Sequence, residues 1–232
     1  MELNFAETDT AINRVIPWRD TIPLKVFASQ IRFQIRLDDI RDIVRGNTTT
    51  VDEVLDFYNQ IIDALLDQYS LEFKVVSGSG TWKQMIVYKN ILRAIDNIGI
   101  NAAYVSKYYI QGILKDAEMA KYLRAQILAI EYLTQASNFS PRVRRLVAQI
   151  QEGKNYKLLQ ELWDDVEDAT TTVDTNNETE VRLFSINLYR ISLAYLDEIR
   201  TIELNQLGKL RYVIFARLSK IVLDHRKMWS RV

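Results

Sequence analysis

Apolar side chains recur every three or four positions along most of this chain, the period of one helix face. Val54, Tyr58, Ile61, Leu65 and Tyr69 follow intervals of 4, 3, 4 and 4. Met85, Tyr88, Leu92, Ile95, Gly99 and Ala102 continue the pattern toward Tyr109. Leu24, Phe27, Ile31, Ile35 and Val44 sit broadly on one side of an earlier helix, expected from Leu24 to Arg45 and ending at Gly46-Asn47. Further helices are expected from Asp116 to Ala136, from Pro141 behind a Ser140 N-cap, and beyond Gly153, where Leu159, Leu162, Trp163 and Val166 fall on one face. The last runs from Glu178 to the C-terminus, marked by Ile191, Tyr195, Ile199 and Ile202, then by Leu204, Leu207, Leu210, Ile214, Leu218 and Ile221. At ~1.5 Å per residue it would span roughly 75 Å, longer than one compact bundle. Phe73-Lys-Val-Val76 is the one short strand-like run, Ser77-Gly-Ser-Gly80 reads as a linker and Thr170 to Asn177 as a loop. The expected class is all-α.

Gly99 stands inside the third of these helices. A glycine in a helix interior costs about 1 kcal/mol against alanine. A close approach by a neighbouring backbone, or a hinge, is the expected reason for it.

Composition narrows the function. Thirty basic and thirty acidic residues in 232 cancel, so no global field favours nucleic acid or an anionic membrane. The absence of cysteine removes disulfides, thiolate catalysis and Cys-ligated metals. A single histidine, His225, cannot build a His-based triad or a multi-His metal site. No apolar run approaches the ~20 residues that span a bilayer, and the acidic N-terminus lacks a signal-peptide pattern. Neither catalytic residues nor cofactors nor metals are expected.

The candidate chemistry is anion recognition. Arg32, Arg36, Arg41 and Arg45 form a basic ladder on the first helix, with Arg32 and Arg36 four apart on one face and Gln34 to the side. Arginine offers a planar fork of donors that suits planar oxyanions. At this spacing the two like charges are comfortable if Asp38, Asp39 or Asp42 pairs with them, or if an anion lies between them. A plain solvated face is the competing reading. Arg142, Arg144 and Arg145 make a second cluster at a helix start. Tyr104, Tyr108 and Tyr109 could pack as a bundle seam or line a polar pocket with their hydroxyls. Ser77 to Gly80 lacks the lysine and spacing of a phosphate loop. Sequons at Asn47, Asn138 and Asn177 all fall in expected loops, where glycosylation acceptors belong.

Three patches resemble the NIT domain, the nitrate- and nitrite-sensing domain of bacterial receptors. One runs from Tyr88-Lys-Asn-Ile-Leu-Arg-Ala-Ile-Asp-Asn-Ile-Gly-Ile through Tyr109-Ile-Gln-Gly-Ile-Leu, Tyr122 and Glu131-Tyr-Leu to Ser137-Asn-Phe-Ser-Pro. A second is Glu180-Val-Arg-Leu-Phe-Ser-Ile-Asn-Leu-Tyr with Tyr195 to Asn205, similar to the family's closing helix. The third is Leu55-Asp-Phe-Tyr with Ile62-Asp-Ala-Leu65. The form found in invertebrate receptor guanylate cyclases looks most similar. The resemblance implies two four-helix bundles joined through long helices, no catalysis, and anion binding that shifts helices toward an output domain. The family's Gln-x-Glu-Arg-Gly box aligns with Gln34 to Asp38: Gln34 matches, while Arg36, Leu37 and Asp38 replace the glutamate, arginine and glycine.

The resulting expectation is an N-terminal extension over residues 1–22 and a helical sensory domain over 23–232. It binds a small anion such as nitrate or nitrite through Arg32, Gln34 and Arg36. It would be a homodimer, outside the cell or in the periplasm, with membrane contact only through flanking segments. A structural or dimerisation module without a small-molecule ligand is the alternative.

Overall fold

The computed structural model describes residues 2–14, 18, 22, 24–46, 50–76, 82–168 and 177–229, with side chains in the last helix as far as Leu210. Eight α-helices account for nearly all of them: α1 (Glu2–Asn13), α2 (Gln30–Arg45), α3 (Val51–Val76), α4 (Trp82–Gln111), α5 (Asp116–Phe139), α6 (Pro141–Gln151), α7 (Lys154–Glu167) and α8 (Glu178–Trp229). A 3-10 turn, Lys25–Ala28, precedes α2. There is no strand among the described residues, and the protein is all-α as its periodicity requires. The Phe73–Val76 run completes α3. The Ser77–Gly80 linker, the sequon asparagine Asn47 and nearly all of the Thr170–Asn177 loop lie outside the described residues.

Local chemistry sets the helix starts. The single helix expected from Leu24 is broken at Ser29, whose backbone is extended (φ −157°, ψ 155°) and whose Oγ accepts from the Arg32 backbone N–H. Serine competes for backbone donors in this way and caps rather than continues a helix. Thr50 and Glu53 form a capping box at the start of α3: the Thr50 N–H donates to Glu53 Oε2 at 3.1 Å, and the Glu53 N–H to Thr50 Oγ1 at 3.2 Å. Ser140 caps α6 with Pro141 at its first position. Gly112 ends α4 at φ 75°, a left-handed conformation that glycine adopts without steric cost.

The chain divides into two compact units, residues 1–74 and 75–232. The first is built on Ile12, Ile22, Phe27, Phe33, Leu37 and Ile61, with Trp18 packed against them. Trp18, Phe27 and Phe33 bring their ring centroids within 5.0–5.9 Å of one another, and the Trp18 indole donates to the Phe27 carbonyl at 2.7 Å. Residues 1–22 therefore supply α1 and two core side chains to this unit. The inward positions of α2 are Phe33, Leu37 and Ile40 together with Arg41. Ile31 and Ile35, placed on the apolar face by spacing alone, are 73% and 57% exposed. Spacing from Leu24 carried the phase of the pattern across the Ser29 break, where it resets.

In the second unit α4 packs against α5, α7 and α8, and α6 packs against α5, α7 and α8. Tyr104, Tyr108 and Tyr109 of α4 are buried, and the rings of Tyr108 and Tyr109 meet edge to face at 5.3 Å while Tyr109 lies 4.2 Å from Phe184 of α8, so they pack in the bundle seam. Small residues let α5 come close: Ala125, Ala129 and Ala136 are buried, as is Ala94 on α4. Gly99 does not perform this role. A Cβ added there meets no heavy atom within 4 Å, which overturns the close approach expected of it. The inner face of α8 carries two seven-residue columns. One is Leu188, Tyr195 and Ile202; the other is Ser185, Ser192, Ile199 and Gln206, whose three polar members have side-chain atoms that are buried and unbonded. Leu204, counted on the apolar face from sequence, is 57% exposed.

Candidate functional site

A cleft of about 1040 Å³ opens in the first unit, lined by the 3-10 turn, α2 and α3. Helical spacing directs Arg32, Arg36, Ile40 and Ile43 of α2 into it, three or four positions apart. From α3 come Glu53, Asp56, Phe57, Gln60 and Ile61. Leu24, Lys25 and Val26 close one end. Ile40 and Ile61 are both buried and give the cleft an apolar floor.

The cations are held loosely. The Arg36 guanidinium carbon lies 5.7 Å from the centroid of the Phe57 ring, and its nearest carboxylate, Asp39, is 3.8 Å away with both side chains half exposed. That pair is worth little. Among the described residues Arg32 has no side-chain partner. Of the acids, Glu53 accepts from the Thr50 backbone, whereas Asp56 has no bonded partner among the described residues. Cationic and anionic side chains thus share one cavity, with Arg32 and Asp56 both available to a ligand.

Gln34 faces elsewhere. Its Nε2 donates to Asp9 Oδ1 at 3.1 Å and to Asp38 Oδ1 at 3.3 Å. Arg41, 4% exposed, donates from Nη1 to the same two carboxylates at 2.8 and 3.1 Å. Burial opposes ionisation of Asp9, but the hydrogen bonds from Arg41 and Gln34 and the Arg41 charge outweigh it and hold the carboxyl below its ordinary 3.8. Of the residues expected to bind an anion, the cleft brings Arg32 and Arg36 together, and Gln34 joins a clasp between α1 and α2. The rest of the ladder is paired: Arg41 as above, and Arg45 with Asp42 at 2.8 Å.

The other sequence candidates belong to the second unit. Arg142, Arg144 and Arg145 are exposed, and burial, followed by the nearby Arg142 charge, lowers the Lys209 ammonium below its usual range. Tyr109 donates to Asp165 Oδ2 at 2.9 Å. Burial first, then this carboxylate, raises its hydroxyl far above the ordinary tyrosine value. Asn138 lies in the last turn of α5 rather than in a loop, and exposed Asn177 caps α8 by accepting from the Glu180 N–H. No cluster of His, Cys, Asp and Glu able to hold a metal exists among the described residues.

Spacing on α2 alone could not reveal Lys25, Asp56 and Phe57. Asp56 and Phe57 were nonetheless within a patch that carried the family resemblance, Leu55-Asp-Phe-Tyr58.

The family model described as NIT, nitrate and nitrite sensing, matches residues 2–211. The chain belongs to the NIT family. The match takes in both units, α1 included, and a NIT domain is a sensing module, not a catalytic one. No curated protein and no solved structure is similar enough to match it. No described helix of this NIT domain is long and apolar enough to cross a membrane.

Proposed function

We propose that this NIT domain is the non-catalytic, ligand-sensing part of a membrane receptor and lies outside the cell or in the periplasm. It binds a small oxyanion such as nitrate or nitrite at Arg32 and Arg36, and binding shifts α2 against its neighbours to pass the signal on. The observation that carries this reading is two arginine forks on one wall of a cleft, Arg36 held only by a long, half-exposed pair with Asp39 and Arg32 by no side chain among the described residues. An anion bridging two guanidinium groups beside an apolar floor gains from both charges where water is partly excluded. Gln34 contributes indirectly, by holding Asp9 and thereby α1 against α2.

Titration calorimetry with nitrate and nitrite checks it. Binding at about 1 mM or tighter corresponds to roughly −4 kcal/mol, and Arg36→Gln and Arg32→Gln should each weaken it. Absence of heat with both anions would refute the anion reading.

A second reading, pairing of two copies, draws on α8. Leu183, Ile186, Tyr189 and Leu193 recur every three or four positions and are all exposed, Leu183 at 64% and Tyr189 at 53%. An apolar stripe of this kind suits a second helix. Sedimentation at rising concentration should show a dimer that Leu183→Glu dissociates.

A further inference from the structure

The cleft is large for nitrate. At about 1040 Å³ it stands at the top of the roughly 300–1,000 Å³ range that accommodates whole organic ligands. A four-atom anion at Arg32 and Arg36 would leave most of that space, and all of its apolar floor, to water. It would also share the cavity with Asp56 and Glu53, which repel it. The walls have opposite character: the α2 wall is cationic, the α3 wall carboxylate-bearing, and Ile40, Ile61 and Phe57 lie among them. Arg32 and Asp56 face the same space without pairing to each other or to any other described side chain.

We infer that the ligand of this cleft is a zwitterion with an apolar body, of the amino-acid class. The inference rests on the anion reading for one end of the molecule. Its carboxylate takes the arginine pair, its ammonium takes Asp56, and its side chain covers the isoleucine floor. Such a ligand satisfies both charge types at once, whereas a simple anion satisfies one and offends the other. Glu53 is less available than Asp56, because its carboxylate already accepts from the α3 N-terminus.

The test uses four probes against the intact chain by calorimetry: nitrate, leucine, 4-methylpentanoate (leucine without its amine) and 3-methylbutylamine (leucine without its carboxylate). Leucine should bind more tightly than 4-methylpentanoate by about tenfold or more, the worth of one hydrogen bond between charged groups. Asp56→Asn should remove that advantage by weakening leucine, while 4-methylpentanoate, relieved of a like charge, binds at least as tightly as before. Arg32→Gln with Arg36→Gln should weaken leucine, 4-methylpentanoate and nitrate alike. Equal binding of leucine and 4-methylpentanoate, or an equal loss of both in Asp56→Asn, would overturn the zwitterion. Nitrate binding that needs the arginines, without leucine binding, would overturn it too while leaving the anion reading intact. Leucine binding that ignores the arginine substitutions would overturn both, as would silence from all four probes. Circular dichroism of each variant separates lost binding from lost folding.

Discussion

Arg41 reaches Asp9 at 2.8 Å across 32 positions of chain. The guanidinium is almost wholly buried, and Asp38 shares it at 3.1 Å. Arg41→Ala removes two charge-assisted bonds and leaves two carboxylates to repel each other. Because Asp9 and Asp38 keep some access to water, the loss should be about 1–2 kcal/mol, below the value for a fully buried pair. Urea unfolding followed by far-ultraviolet circular dichroism measures it, and Arg41→Lys should recover only part, since lysine lacks the planar fork.

Acid should open the same clasp. The folded Asp9 carboxyl titrates below its ordinary 3.8, so its contribution to stability is complete above that value and disappears as pH falls through the folded one. Melting temperature should be flat in this term above about pH 5 and fall below pH 4. Asp9→Asn should be less stable at neutral pH and show a shallower acid limb. An acid limb as steep as the unsubstituted chain's would exclude Asp9 as its source.

Gly99 invites the opposite substitution. It lies within α4 and has open space where a Cβ would go. Gly99→Ala should therefore stabilise by about 0.5–1 kcal/mol through helix propensity alone. Gly112→Ala, at φ 75°, should destabilise by about 1–2 kcal/mol. Thermal melts of the two variants should move in opposite directions.

Helix boundaries were legible wherever a short polar signal sat beside the apolar period. Ser140-Pro141, Gly153 and Gly112 all stand where helices change, as their chemistry dictates. Ser29 carries the same signal, but Phe27 and Ile31 continue the period across it and mask the break. The cleft was half legible. Arg32 and Arg36 could be placed on one face of one helix, but their partners come from a different helix. A single sequence gives no register between two helices, so Asp56 could not be set opposite Arg32. Gly99 misled because a helix propensity cost says nothing about which neighbour, if any, makes use of the missing side chain.

Lys107 and Glu118 form an ion pair at 2.6 Å, with only 10% and 11% of their side chains exposed. Glu118 also accepts from the Lys115 N–H at the start of α5. Removing one member of a buried pair leaves an uncompensated charge, so Lys107→Met should cost about 3–5 kcal/mol. Chemical denaturation of Lys107→Met, Glu118→Met and the double variant forms a cycle. The double should cost less than the two singles added together.

Gln206 should behave differently, because both polar atoms of its side chain are buried without a bond. Gln206→Leu removes that desolvation cost and should stabilise the fold by about 1–2 kcal/mol, read as a higher midpoint of chemical denaturation.

The turn between α4 and α5 also sets an order of assembly. Gly112 to Lys115 are all that separate two helices of 30 and 24 residues that lie against each other. Joining ends this close in sequence sacrifices little chain entropy, and contacts of short separation form fastest. During synthesis every residue of this hairpin has left the ribosome before the first turn of α8 exists. The hairpin can therefore nucleate alone and wait, its α8-facing side still uncovered, for the helix that completes the core.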